Sequence, residues 1–141
     1  MPKISKKVFV ATSAFIAFLD RANPKHVQAV AYFQYFAQEQ YQLYSSYLNL
    51  EETHRTISEK VSGSFARDFL KAIDLGTINI LYPEPADMKL AIKTLVNYRS
   101  TDLQFIEAQM AVTASRRNIN QICTFEYLHP LFGLTVFYLP I

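Results

Sequence analysis

Residues 8–20 read VFVATSAFIAFLD, a run of apolar residues that changes character half-way along. Its first part, 8–10, is β-rich and shows no alternation of polar and apolar side chains. That pattern predicts a strand buried on both faces. Thr12 and Ser13 then have the side chains of a helix N-cap, so we predict a helix over 14–21.

Three lysines, Lys3, Lys6 and Lys7, precede this run, and a basic start followed by apolar residues is also typical of a secretory signal peptide. The run is too short to span a bilayer as a helix, and the charged pair Asp20 and Arg21 ends it. We therefore favour a buried strand followed by a helix, with no membrane segment.

Strands and helices alternate along the rest of the chain. The predicted strands are 41–45, 78–82, 121–125 and an edge strand at 134–139 ending at Pro140. The predicted helices are 24–40, 48–61, one capped by Ser64 and ending at Gly76, 86–98, and one that a capping box at 101–104 starts and that ends at 117. Alternation predicts a three-layer α/β/α fold, with a central, mostly parallel sheet of about four to five strands in one domain spanning 1–141.

Composition limits the function only loosely. Fourteen basic residues face twelve acidic ones, and a net charge of +2 is too small to indicate nucleic acid by itself. Cys123 is the one cysteine, so the chain has no internal disulfide and no cysteine-based zinc site. We expect a reducing, cytoplasmic environment.

Four positions fall at the carboxyl ends of the predicted strands, where parallel sheets place their working sites. Ala11 ends the first strand and Glu126 follows the fourth. Glu52 lies in the helix after the second strand, and Glu107 lies near the start of the helix that ends at 117. Converging carboxylates raise one another's pKa unless a cation is present, and oxygen ligands suit Mg²⁺ or Mn²⁺.

The order and spacing of these motifs resemble the PIN domains of the VapC toxin group, over nearly the whole chain. No single motif is specific, but their succession is. The family's first strand ends in Asp-Thr-Ser, and its last third aligns here without gaps over 98–126. The matching residues are Thr12-Ser13, Pro24, His26, Ala29, Glu52-Thr53, Phe105-Ile106-Glu107, Asn118-Ile119 and Thr124-Phe125-Glu126.

This resemblance implies a metal-dependent endoribonuclease toxin. Glu52, Glu107 and Glu126 would be the catalytic and metal-binding residues, holding Mg²⁺ or Mn²⁺. Thr12 and Ser13 would help to position phosphate or water, or would only cap their helix. The implied partners are RNA, an antitoxin protein and a second copy of the chain in a homodimer.

The departures from the family pattern concern the same site. Ala11 stands where the first aspartate belongs, and Glu107 and Glu126 stand where the family has aspartates. Asp102 is an alternative to Glu107 if the register is shifted, although the gapless count back from Glu126 favours Glu107. We therefore expect weak metal binding and low or absent nuclease activity.

The alternative function is an inactive PIN-fold module that binds RNA or protein. An engineered Ala11 would explain only one of the three changes.

Three further groups of residues carry no clear sign of a functional site. An aromatic series is denser than one helix face can bury, so core and partner surface are equally good interpretations, and we expect a homodimer to bury part of it. Arg116 and Arg117 fit a solvated helix end better than an RNA contact. His26, His54 and His129 fit surface or capping positions. The aromatic series is Tyr32, Phe33, Tyr35, Phe36, Tyr41, Tyr44 and Tyr47.

Overall fold

The structure, a computed structural model, describes residues 6–139, and within that range five strands form one all-parallel sheet. The strand order is β3-β2-β1-β4-β5. The strands are β1 (Lys7–Val10), β2 (Gln42–Ser46), β3 (Asn79–Leu81), β4 (Gln121–Cys123) and β5 (Thr135–Val136). Lys3 and Pro140, which entered the sequence-based predictions, lie outside the described residues.

Helices cover both faces of this sheet, which confirms the predicted three-layer α/β/α architecture. Helices α5 and α6 contribute to the core on one face, and α1, α2 and α4 contribute to the core on the other. The helices of the described range are α1 (Thr12–Leu19), α2 (His26–Gln38), α3 (Tyr47–Lys60), α4 (Gly63–Asp74), α5 (Pro85–Asn97) and α6 (Phe105–Arg116). None of them is long and apolar enough to cross a membrane.

Strand β1 lies at the centre of the sheet and joins the two cores. Phe9 pairs with Tyr44 on β2 and Ile122 on β4, and its side chain belongs to the core beneath α6. Val8 and Val10 point to the opposite core, beneath α1 and α2. All three side chains are fully buried, which explains why the run has no polar residue at alternate positions.

Four of the predicted helix starts are wrong in detail. Helix α2 begins at His26 after a Lys25 cap, rather than at Pro24. Helix α4 is capped by Ser62, whose hydroxyl accepts a hydrogen bond from the Phe65 amide, rather than by Ser64. Helix α6 begins at Phe105 after a Gln104 cap without a side-chain bond, so the capping box at 101–104 does not form. Helix α1 begins at Thr12, earlier than expected, with Ala11 as its cap.

The aromatic series packs mostly inside the chain. Tyr32 and Phe36 are buried, and Phe137, just after β5, packs against both rings. Tyr41 also contacts Phe137. Tyr47 is the exposed member of the series, with its ring 5.9 Å from that of Tyr82, so most of these rings serve the core.

Candidate functional site

Four positions chosen from the sequence line one pocket at the carboxyl edge of the sheet. Ala11 follows β1, Glu126 lies three residues after β4, Glu52 lies in α3, and Glu107 lies in the first turn of α6. The pocket has a volume of about 60 Å³, a size that suits water molecules or an ion. The structure thus brings the four positions together, while their catalytic or metal-binding role stays a prediction.

Asp102, the alternative to Glu107, lies elsewhere. It is exposed in the turn before α6, where its amide donates to the Ser100 hydroxyl, and it is not among the residues that line the pocket. The position of Glu107 therefore agrees with the gapless register counted back from Glu126.

Thr12 and Ser13 line the pocket, but their hydroxyls do not cap α1. The Thr12 hydroxyl accepts a hydrogen bond of 3.0 Å from the Asn49 side-chain amide. The Ser13 hydroxyl lies 3.0 Å from that of Thr124 and accepts a bond of the same length from the Phe125 amide. The Thr12 bond joins α1 to α3, and the Ser13 bonds join α1 to the segment just after β4, so capping was the wrong role for both hydroxyls. Strand β4 ends at Cys123, earlier than predicted.

Asn49 is a pocket residue that the sequence analysis missed. It lies near the start of α3 and is almost fully buried. Its side-chain oxygen accepts from the Ser46 hydroxyl at 2.6 Å and from the Gln109 amide at 3.2 Å. Together with the bond to Thr12, these contacts connect α1, α3 and α6 behind the carboxylates. A polar residue three positions before Glu52 on the same helix was the available signal.

Glu107 is held by His129. The His129 backbone amide donates to Oε2 of Glu107 at 2.7 Å, and the ring Nδ1 lies 2.8 Å from each carboxylate oxygen. The side chains of His129 and Glu107 are only 12% and 16% exposed, respectively. The interpretation of His129 as a surface or capping residue was therefore wrong. The sequence did not indicate the contact because Glu107 lies 22 residues away.

The carboxylates form a poor site for a divalent cation in this arrangement. Within residues 6–139, no group of three histidine, cysteine or acidic side chains is placed to hold a metal ion. Ala11 offers no side-chain ligand atom, and both oxygens of Glu107 already contact His129. Mg²⁺ and Mn²⁺ need several oxygen ligands at once.

Sequence comparison finds no protein-family model and no curated protein that matches the chain. Comparison with solved structures finds proteins that match most of the chain. Mycobacterium tuberculosis VapC20, described as a toxin that cleaves the sarcin-ricin loop, has a TM-score of 0.75 and 20% identity, over 89% of this chain and 92% of that one. This chain has the VapC-type PIN-domain fold.

Two further structures share the PIN-domain fold. FitAcB from Neisseria gonorrhoeae has a TM-score of 0.64 and 16% identity, over 93% of this chain and 96% of that one. VapBC2 from Rickettsia felis, bound to a DNA fragment from its promoter, has a TM-score of 0.66 and 11% identity, over 92% and 96%. At these identities the similarity shows the fold and not the activity.

An apolar groove opens on the side of the PIN fold away from α5 and α6. It has a volume of about 440 Å³ and lies between α1, α2 and α4. Phe18 and Phe33 line it with their ring centroids 4.7 Å apart, and Phe18 is 40% exposed. Asp68 is an acidic residue on its wall. Rings left this open to solvent are typical of a binding surface.

At the C-terminal end of α6, opposite the end that carries Glu107, Arg116 and Arg117 bind Asp87, whose side chain is fully buried. Burial raises the pKa of Asp87, but hydrogen bonds from Arg117, the Glu84 amide and Arg116 outweigh it and lower the pKa to about 2. The interpretation of the two arginines as a solvated helix end was therefore wrong. They stabilise the PIN fold by compensating a buried charge.

Proposed function

We propose that this chain is a toxin-like PIN protein of the VapC type, whose acidic pocket derives from a metal-dependent endoribonuclease site and has lost most of that activity. The observation that carries the proposal is the pocket itself. Glu52, Glu107 and Glu126 surround Ala11, the position at which the resemblance requires an aspartate. We propose RNA as the substrate class of the parent site, and weak binding of Mg²⁺ or Mn²⁺ by the present one.

The chemistry supports a loss of activity and not merely a change of ligand. In PIN ribonucleases of this type, carboxylates would hold a cation that activates water and stabilises charge on the phosphate. Here Ala11 removes one ligand, and glutamates at 107 and 126 place their carboxylates about one methylene further out than aspartates would. We therefore assign no hydrolytic step to the chain as it stands.

An RNA cleavage assay tests this proposal. The unmodified chain should cleave a structured RNA no faster than its Glu52→Gln variant, in Mg²⁺ or in Mn²⁺. Ala11→Asp should gain cleavage, more in Mn²⁺ than in Mg²⁺, because we expect Mn²⁺ to tolerate imperfect geometry better than the strictly octahedral Mg²⁺. Adding Glu52→Gln to Ala11→Asp should remove the gain.

One outcome would contradict the proposal directly. If the unmodified chain cleaves RNA with Mg²⁺ and loses that activity on Glu52→Gln, the site is intact. Glu107 and Glu126 would then be working ligands.

A second function, protein binding, is favoured by the groove between α1, α2 and α4. We propose that it takes an apolar segment of an antitoxin-type partner, because the VapBC2 structure contains a partnered protein of the same fold and because the groove is lined by partly exposed aromatic rings. A homodimer stays a separate prediction. Tyr47, whose ring lies beside that of Tyr82, is the exposed member of the aromatic series that it would use.

Co-purification tests the groove. The protein encoded beside this chain should co-purify with it, and Phe18→Glu should abolish the complex because it places a charge on an apolar surface. Ile92→Glu, on the exposed side of α5, is the matched control and should leave the complex intact. Equal co-purification by the Phe18 variant would contradict the groove. A dimer by light scattering that Phe18→Glu separates would instead assign the groove to a second copy of the chain.

A further inference from the structure

We propose that Glu107 is a positioning residue tied to His129, and that this pair weakens the binding of a divalent cation in the acidic pocket. The inference rests on the proposed function, because only a pocket derived from a metal site has a ligand to withdraw. It also goes further, since it identifies a second obstacle to metal binding besides Ala11.

His129 contacts both oxygens of the Glu107 carboxylate. The amide and the ring of His129 approach Glu107 together, so both oxygens are used and the ring must carry its proton on Nδ1. Bonds of 2.7 and 2.8 Å are at the short end of the range, as expected for hydrogen bonds that are assisted by charge. Each oxygen keeps a second lone pair, but the carboxylate is fixed in the orientation that His129 imposes, and a cation at Glu107 would have to accept that orientation or compete with both donors.

The ring of His129 is itself held in place. It packs edge-on against Tyr98, with centroids 5.7 Å apart, and against Tyr127, with centroids 4.9 Å apart. Tyr127 also lines the acidic pocket. The pair therefore fixes the segment after β4 against the first turn of α6, at the edge of the pocket.

Charge explains why the pair matters for a cation. No lysine or arginine is among the described residues that line the pocket, so its carboxylates depend on an ion or a hydrogen bond for compensation. His129 supplies that hydrogen bond to Glu107. Among the described residues that line the pocket, Glu52 and Glu126 are then the carboxylates that His129 does not hold, and a cation bound by these two alone would keep most of its water shell.

Calorimetric titration with Mn²⁺ alone tests the pair in chains that carry Ala11→Asp. Adding His129→Phe keeps a ring for Tyr98 and Tyr127 but removes Nδ1, and should tighten Mn²⁺ binding by about tenfold. Adding His54→Phe, the same substitution on α3, is the matched control and should change nothing.

Different results overturn different claims. Equal Mn²⁺ affinity with and without His129→Phe would overturn the role of the pair, while Mn²⁺ binding by Ala11→Asp would leave the proposed function standing. If none of these variants binds Mn²⁺, both the pair's role and the proposed function are wrong.

A melt in chelator tests the Glu107–His129 contact itself without metal, and without a double variant that has to fold. Glu107→Gln should lower the melting temperature, because it loses charge-assisted bonds to His129. Glu52→Gln is the matched control on another carboxylate of the pocket, and should leave the melting temperature equal or higher because it relieves repulsion. If Glu107→Gln melts at or above the unmodified chain, the proposal is overturned.

Discussion

The two ends of α6 treat carboxylates in opposite ways. At the C-terminal end, Arg116 and Arg117 donate three hydrogen bonds to Asp87, and the Glu84 amide adds a fourth at 2.7 Å. At the N-terminal end, Glu107 shares a pocket with two other glutamates, and only His129 compensates it. One end holds a buried charge that is neutralised by fixed cations. The other holds several charges with little compensation.

This difference separates a structural group from a functional one. A buried carboxylate kept for stability needs partners that match its charge, since leaving it unpaired costs several kcal/mol. Carboxylates gathered without cations contribute nothing comparable to stability, and such clusters are typical of sites that act on a ligand. Under the proposed function, the pocket keeps the charge pattern of such a site, and Ala11 and His129 would oppose metal binding.

The largest effect on stability should come from the structural end. Asp87→Asn should lower the free energy of unfolding at neutral pH by about 3–5 kcal/mol, because it leaves Arg116 and Arg117 without their buried partner. Urea unfolding measures this. Glu51→Gln, which breaks the exposed ion pair with Arg55, is the matched control and should change stability little.

Unfolding at low pH should show the contribution of Asp87 to stability. Because the pKa of Asp87 falls from 3.8 to about 2 on folding, its contribution is present above about pH 4 and is lost as the pH falls towards 2. The unmodified chain should lose about 2 kcal/mol in that window, and Asp87→Asn should not lose it. A constant difference between the two proteins from pH 6 to pH 2 would show that Asp87 is not the stabilising group.

The sequence predicted the architecture well because its signals are local. The unbroken apolar run 8–10 indicated a strand buried on both faces, and β1 is central and fully buried. Strand ends gave the edge at which Ala11, Glu52, Glu107 and Glu126 meet. Each of these inferences needed only neighbouring residues or the order of elements along the chain.

The errors concern partners that are distant in the sequence. His129 lies 22 residues from Glu107, and Asp87 lies 29 residues from Arg116. The Ser13 hydroxyl was expected to cap a local helix but bonds to Thr124, 111 residues away. Local propensity cannot identify which of several polar side chains will meet after folding, and a tertiary partner outweighs a cap when the side chain is buried.

The smallest effect in this series tests the acidic pocket most directly. It is the thermal melt of Ala11→Asp and of the unmodified chain, each in chelator and in excess Mn²⁺. In chelator, Ala11→Asp should melt slightly lower, because it adds a fourth carboxylate to an uncompensated pocket. In Mn²⁺ its melting temperature should rise by about 2–4 °C, which corresponds to about 1 kcal/mol of binding, while the unmodified chain should barely respond. If Ala11→Asp melts identically in Mn²⁺ and in chelator, the four positions do not form a metal site, and the nuclease ancestry of the pocket is wrong.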